Sequence, residues 1–217
     1  MTGGYLADVL KDQAADPAWL ADAVGRVARD PAAVAGLFPA AGRRCGREPL
    51  PDPDPALTGW TVDDAARVLL LTAMPLTGAA LAEQVGALYR YGDADEKRAV
   101  LRALPSVDIG DTGVGLLHDA IRTNDPRLIA AALGPYASHL DDEMWRQAVI
   151  KCVFMGIPLT VVAGLAERAD GELGRMLADL DQERRAAGRT MPADAAALLS
   201  LLTSDPPARP HDQKEAG

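Results

Sequence analysis

Arg90 and Arg122 stand 32 residues apart, each two positions before a residue that breaks helices, Gly92 and Asn124. A guanidinium presents paired N–H donors that fit carboxylate or phosphate, so two arginines in register suit an anion clamp. Stacked as neighbouring helices, their segments would set them about 8–10 Å apart. Tyr89 beside Arg90 offers an aromatic face and a hydroxyl, and Asn124 adds an amide. The alternative is a solvated ridge on which Asp93 and Asp125, three residues beyond each arginine, neutralise them locally.

Two further side chains could exchange protons. His118 shares a helical face with Val114, Leu117 and Ile121 and has Arg122 one turn later, so it is either a proton carrier near neutral pH or a neutral core histidine with one hydrogen bond. Lys151, seven residues after Met144 and four before Met155, falls on or beside an apolar stripe. Desolvation would lower its pKa and suit it to act as base, Schiff-base former or anion anchor. The alternative is an alkyl stem packed on the stripe with its ammonium in water. His118 and Lys151 are thus the catalytic candidates, and Tyr89, Arg90, Arg122, Asn124 and Lys151 the candidate ligand contacts.

Metal and cofactor chemistry find no pattern to attach to. No second histidine lies at metal-ligand spacing from His118, and His139 and His211 fall in a predicted loop and tail. The aspartates of residues 107–113 lack the full spacing of a calcium loop and read as a turn, with Asp111 capping the following helix. There is no phosphate loop, dinucleotide fingerprint or nucleophile elbow, so no cofactor is implied.

The elements that must position these residues recur at a fixed interval. Gly92, Asn124, Gly156 and Gly188 are each 32 residues apart, and each closes a segment with helical periodicity. Asp93 with Glu96 forms a capping-box pattern, Asp125 precedes Pro126, Ile157 precedes Pro158, and Pro192 follows Gly188 shortly, all residues that open a new helix. Each period therefore predicts one helix pair, the second helix of the second pair being short. The third pair starts near Asp142, with Met144, Ala148, Cys152 and Met155 along its stripe; the fourth carries Leu173, Met176, Leu177 and Leu180, and a last helix carries Leu198 to Leu202. The fold class is all-α: an α-solenoid of antiparallel helix pairs, HEAT- or TPR-like, with an N-terminal helical cap. Residues 1–42 form the N-terminal helices, two of which start at Asp16-Pro17 and Asp30-Pro31. Residues 43–60, with Pro49, Pro51, Pro53 and Pro55 on alternate positions, form an extended crossover. Residues 61–203 form the repeat body, one domain with 1–42, and 204–217 a disordered tail.

Composition limits the partners. The 217 residues are 48% hydrophobic but only 4% aromatic, which suits close-packed Leu, Ala and Val helices, and the net charge of -9 opposes binding to a polyanion. Nucleic acid is excluded on that basis. Two cysteines, Cys45 in an expected loop and Cys152 in a helix, make neither a disulfide framework nor a metal pair and favour a reducing compartment. The charged opening stretch does not read as a signal peptide, and the uncharged runs at 68–82 and 152–166 are too short to span a bilayer and are interrupted by Pro75 and Pro158. These features predict a cytoplasmic protein with no membrane span of its own.

Several segments resemble the EboA family: Leu88-Tyr89-Arg90-Tyr91-Gly92-Asp93, Glu96-Lys97-Arg98, Arg122-Thr123-Asn124-Asp125, Pro135-Tyr136, Asp142-Glu143-Met144-Trp145, Lys151, Gly156-Ile157-Pro158-Leu159, and Glu183-Arg184 through Ala187-Gly188-Arg189. The likeness spans most of residues 60–190, and none of its motifs is a catalytic signature. It implies a bacterial protein encoded with sugar-type or cyclitol-type enzymes and a prenyltransferase-like membrane protein, in a cluster that makes or moves a secondary metabolite. The expected role is an accessory or binding protein that holds an oxygen-rich or phosphorylated intermediate, or a cluster enzyme, in an inter-helix groove. Two alternatives stand beside it. One is a small lyase, isomerase or transferase acting on a phosphorylated or sugar-like substrate; the other is a pure protein scaffold.

Overall fold

The computed structural model describes residues 3–51, 54 and 57–204; of the expected tail at 204–217, all but Ser204 lies outside the described residues. Those residues form twelve α-helices and no named strand. The chain divides into two compact units, Met1–Asp141 and Asp142–Gly217.

The first unit opens with α1 (Gly3–Gln13), α2 (Pro17–Arg29) and α3 (Val34–Arg44). Asp16 caps α2 by accepting from the Trp19 amide at 3.0 Å, and Asp30 caps the short 3-10 turn that leads into α3. Between α3 and α4 (Val62–Thr72) the crossover is anchored by buried Leu50 and Leu57 and by one antiparallel bridge between Pro49 and Thr61. Cys45 is the buried C-cap of α3, within the helical corner and not in an open loop.

Every residue of α4 from Val62 to Leu71 is buried, and the helix packs against α1, α2, α3 and α6 (Ala94–Ala103). A helix covered on all sides should be apolar all round; α4 departs from that at Asp63, Asp64 and Arg67. Next come α5 (Gly78–Tyr91), paired with α6, and α7 (Val114–Arg122), paired with α8 (Pro126–Ala132). Helix α6 packs on both α4 and α8. The Asp93–Glu96 capping box forms in both directions, and Asp125 caps the short α8 at the Arg127 amide. Asp111 does not cap α7 with its side chain: Gly113 is the N-cap, and the Asp111 carbonyl accepts from Val114 instead. Tyr136 holds that corner, donating to the Gly110 carbonyl at 2.6 Å and accepting from the Gly113 amide.

The second unit contains α9 (Asp142–Met155), α10 (Leu165–Arg168), α11 (Gly171–Ala186) and α12 (Ala193–Thr203). The buried stripe of α9 is Trp145, Ala148, Val149, Cys152 and Val153, with Met144 and Met155 half-exposed at its border. After Gly156 the expected second helix is reduced to a 3-10 turn, Leu159–Val161, and the four-residue α10. The turn ends at Val162, extended at φ -85° and ψ 105°, and Gly164, left-handed at φ 67°, is the N-cap from which α10 starts. Arg146 grips Asp170, which also caps α11 at the Leu173 amide, and Arg168 reaches Asp142 while lying 4.7 Å from the Trp145 ring. Among the described residues no helix is long and apolar enough to cross a membrane.

Candidate ligand-binding site

Helices α5 and α7 are tied by one side-chain hydrogen bond, from the Tyr89 hydroxyl to Asp119 at 3.0 Å. Tyr89 is buried, and the Lys97 ammonium lies 5.1 Å from its ring. Burial, then the bond to Asp119, pushes the Tyr89 phenol well above its ordinary pKa. The hydroxyl is therefore a committed structural donor.

Arg90 and Arg122 follow on the same two helices, and both are exposed. Neither has a carboxylate partner among the described residues: the Asp93 carboxylate accepts from the Glu96 amide, and Asp125 pairs with Arg127 at 2.8 Å. Local neutralisation by Asp93 and Asp125 is thus corrected, because capping geometry turns both aspartates toward the helix they open. Arg90 lies 5.9 Å from the ring of Tyr91, which is 82% exposed. Asn124, at the break before α8, is also exposed. His118 is half-buried, and its Nε2 is enclosed without a hydrogen-bond partner. The structure thus places Tyr89 and Arg90 on α5, His118 and Arg122 on α7 and Asn124 at the break after α7, with the bond from Tyr89 to Asp119 linking the two helices. Lys151 is half-buried on α9, in the second unit.

Sequence reasoning passed over a second constellation, centred on α4. Asp64 accepts from Arg98 Nε at 3.0 Å, from Arg102 Nη1, and from the Thr61 amide as its helix cap. The Thr61 hydroxyl stands 2.6 Å from Asp63 and 2.7 Å from Asp64, and can donate to either. Arg67 is fully buried: its Nη1 donates to Asp63 and its Nε to the Phe38 carbonyl at 3.1 Å, while Nη2 has no partner. Arg98 also reaches Asp95, which takes Arg47 and Arg127 at 3.3 and 3.1 Å. Burial works against the charge on Arg98, yet Asp64 and Asp95 outweigh it and raise its pKa; on Arg102 burial prevails and lowers it. The available signal was the i,i+4 pair Asp63–Arg67, next to a second aspartate, in an otherwise apolar helix.

In the second unit, an open depression of about 320 Å³ lies at the C-terminal end of α11 beside α12, lined among others by Asp181, Arg185, Arg189, Thr190 and Ser200. Arg185 is held by Asp181 at 2.7 Å. Both cysteines are enclosed, and burial pushes the Cys45 thiol up to about 11 and that of Cys152 to about 12. Neither is a nucleophile near neutral pH. Among the described residues no group of three or more His, Cys, Asp or Glu side chains could hold a metal ion.

These arrangements can bind charged groups through fixed donors. A family model described as "Metabolite traffic protein EboA" matches residues 53–199. No curated protein and no solved structure matches the chain. The family match takes in all of α4 to α11 and most of α12, and on that extent the chain belongs to the EboA family.

Proposed function

We propose that the protein is a non-catalytic accessory of a bacterial cluster that makes or moves a secondary metabolite, holding an oxygen-rich or phosphorylated intermediate for a cluster enzyme or a prenyltransferase-like membrane protein. The observation that carries this reading is the pair Arg90 and Arg122, two exposed guanidiniums without carboxylate partners among the described residues, on helices joined by Tyr89 and Asp119. Exposed forks on a fixed base suit reversible capture of an oxyanion. Asn124 supplies an amide beside them, Tyr89 fixes the spacing beneath them, and Lys151 is an independent contact to be tested by its own substitution.

A solenoid of helix pairs fits the same reading. Helices α5 with α6 and α7 with α8 are packed pairs joined at Gly92 and Asn124, and α6 lies between α4 and α8, an order that stacks pairs and leaves grooves between them. The acidic surface and the lack of a spanning helix among the described residues agree with a cytoplasmic location.

The test is a thermal-shift screen against sugar phosphates, cyclitols, prenyl diphosphates and pyrophosphate, with the ligand recovered and weighed by mass spectrometry. A ligand that binds only the native state raises Tm. The expected result is selective stabilisation, lost in Arg122→Ala, with the ligand returned intact. Chemical conversion of the ligand would replace holding with catalysis, and no shift with any compound would leave protein scaffolding.

A further inference from the structure

Arg67 is fully buried, with a side-chain exposure of 0%, and of its three nitrogens Nη2 alone lacks an acceptor. That atom faces Gly42 on α3, 3.3 Å from the place a β-carbon on Gly42 would occupy. Arg47 approaches the same place from the crossover, with Nε at 2.9 Å and Nη2 at 3.3 Å. Nε and Nη2 form the side-on edge of a guanidinium, the pair that binds a carboxylate or phosphate with two parallel bonds. Among the described residues Arg47 is engaged through Nη1, by Asp95 at 3.3 Å. Three donor nitrogens from two cations therefore gather around one glycine with no acceptor from the described residues among them.

Charge counting agrees. The connected network holds five arginines (47, 67, 98, 102 and 127) against four aspartates (63, 64, 95 and 125). Outside this network Asp16 pairs with Arg44 at 3.6 Å, and the exposed Glu48 carboxylate lies over Gly46. One guanidinium is in surplus in a chain of net charge -9. An uncompensated cation beside a buried one is costly, and an oxyanion is the group that relieves it.

We propose that Arg47 and Arg67, converging beside Gly42, form a binding site for a single oxyanion group, phosphate or carboxylate. Arg67 is the fixed wall, held by Asp63 and the Phe38 carbonyl. Arg47, whose side chain is 56% exposed, is the movable half through which the anion enters. Gly42 admits both guanidiniums because any larger residue would displace Arg47. Arg47 and Gly42 precede the matched residues 53–199 and Arg67 lies within them, and the site shares no residue with the pair Arg90 and Arg122.

The full chain is titrated with inorganic phosphate and, separately, with acetate, each against sodium chloride of matched ionic strength, followed by Tm and by the arginine Nε–H resonances. The expected result is a rise in Tm beyond the chloride control, with the Nε–H signals of Arg47 and Arg67 moving together along one saturation curve. Arg47→Lys keeps the charge but loses the fork, and should weaken binding at least about tenfold. Arg122→Ala removes a donor of the other proposed anion contact and can lower the phosphate-induced Tm rise, but it should leave the saturation curve of the Arg47 and Arg67 Nε–H signals in place, which separates the two sites. Response to phosphate alone assigns a phosphate site, and response to acetate as well assigns a general oxyanion site. A Tm no higher than in chloride, or an Arg47→Lys variant that binds like the native chain, would overturn the proposal.

Discussion

The Tyr89 hydroxyl donates to Asp119 across the space between α5 and α7, at 3.0 Å, and carries the spacing of the two helices that bear Arg90 and Arg122. The bond runs from the buried Tyr89 to the exposed Asp119 and links the two helices. Tyr89→Phe should cost about 1 kcal/mol in urea unfolding, as for one partly buried hydrogen bond. A double-mutant cycle with Asp119→Asn should give a coupling of about 0.5–1.5 kcal/mol. A coupling of zero would mean that α5 and α7 are spaced by apolar packing alone.

Asp64 is the one carboxylate that holds Arg98, Arg102 and the start of α4 together, with no exposure of its own. Removing one member of a buried ion cluster leaves the others desolvated and unpaired. Asp64→Ala should therefore destabilise the fold by about 3–5 kcal/mol. Arg90→Ala and Arg122→Ala, which break no ion pair, should each stay within about 0.5 kcal/mol of the native chain. Urea midpoints of the three variants check the contrast, and an Asp64→Ala chain as stable as the Arg122→Ala chain would contradict a structural role for the cluster.

The joint between α5 and α6 depends on the absence of a side chain at Gly92. A β-carbon there would come 2.7 Å from the Leu88 carbonyl and 2.9 Å from Glu96 Cβ, the residue that closes the capping box. Gly92→Ala should cost about 1–3 kcal/mol through overpacking. Gly86, inside α5, has nothing within 4 Å of the same construction. Gly86→Ala should stabilise by up to about 1 kcal/mol, since alanine is the better helix former. Thermal unfolding of the two variants should move Tm in opposite directions.

The helices were legible in the sequence wherever the break is made by local chemistry. Gly92, Asn124, Gly156 and Gly188 each follow a helix end, and Asp93 and Asp125 cap the helices that come next. Equal spacing did not mean equal geometry: Gly92 closes α5 in an extended conformation at φ -76°, whereas Gly156 and Gly188 turn the chain in the left-handed region at 72° and 68°. After Gly156, extended Val162 and left-handed Gly164 together separate the segment into two short turns, which a count of 32 does not register. The buried cluster was harder to read because its partners are far apart in sequence. Asp64 meets Arg98 and Arg102 only once α4 and α6 pack, and Arg67 finds the Phe38 carbonyl only once α3 folds over it. In the sequence Asp63, Asp64, Arg98 and Arg102 look like ordinary solvated charges. The predicted ligand contacts were read from local spacing, and Arg90, Arg122 and Asn124 do lie exposed near helix ends, but the turn of Asp93 and Asp125 away from them follows from capping geometry.

Cys45 and Cys152 give the fold an alkaline limit whose sign follows from their burial. Desolvation, the larger cause in both, pushes the Cys45 thiol to about 11 and the Cys152 thiol to about 12; Asp16 and Asp63 reinforce it at Cys45, while Lys151 opposes it at Cys152. A thiol whose pKa is higher folded than unfolded favours the native state below its unfolded value of about 8.5, and that contribution is lost as pH rises through the folded value. Stability should hold up to about pH 8.5 and fall between there and about pH 12, with Tyr89 adding to the decline above about pH 10. Cys152→Ala should flatten this alkaline limb even if the lost sulfur lowers stability at every pH, so the slope of unfolding free energy against pH is the quantity to measure. At pH 8 the native chain should leave a thiol reagent such as 5,5′-dithiobis(2-nitrobenzoate) nearly unreacted, and denaturant should release both thiols. Rapid native-state reaction of either cysteine would place it in an opening segment, and its contribution to the alkaline slope would then vanish as well.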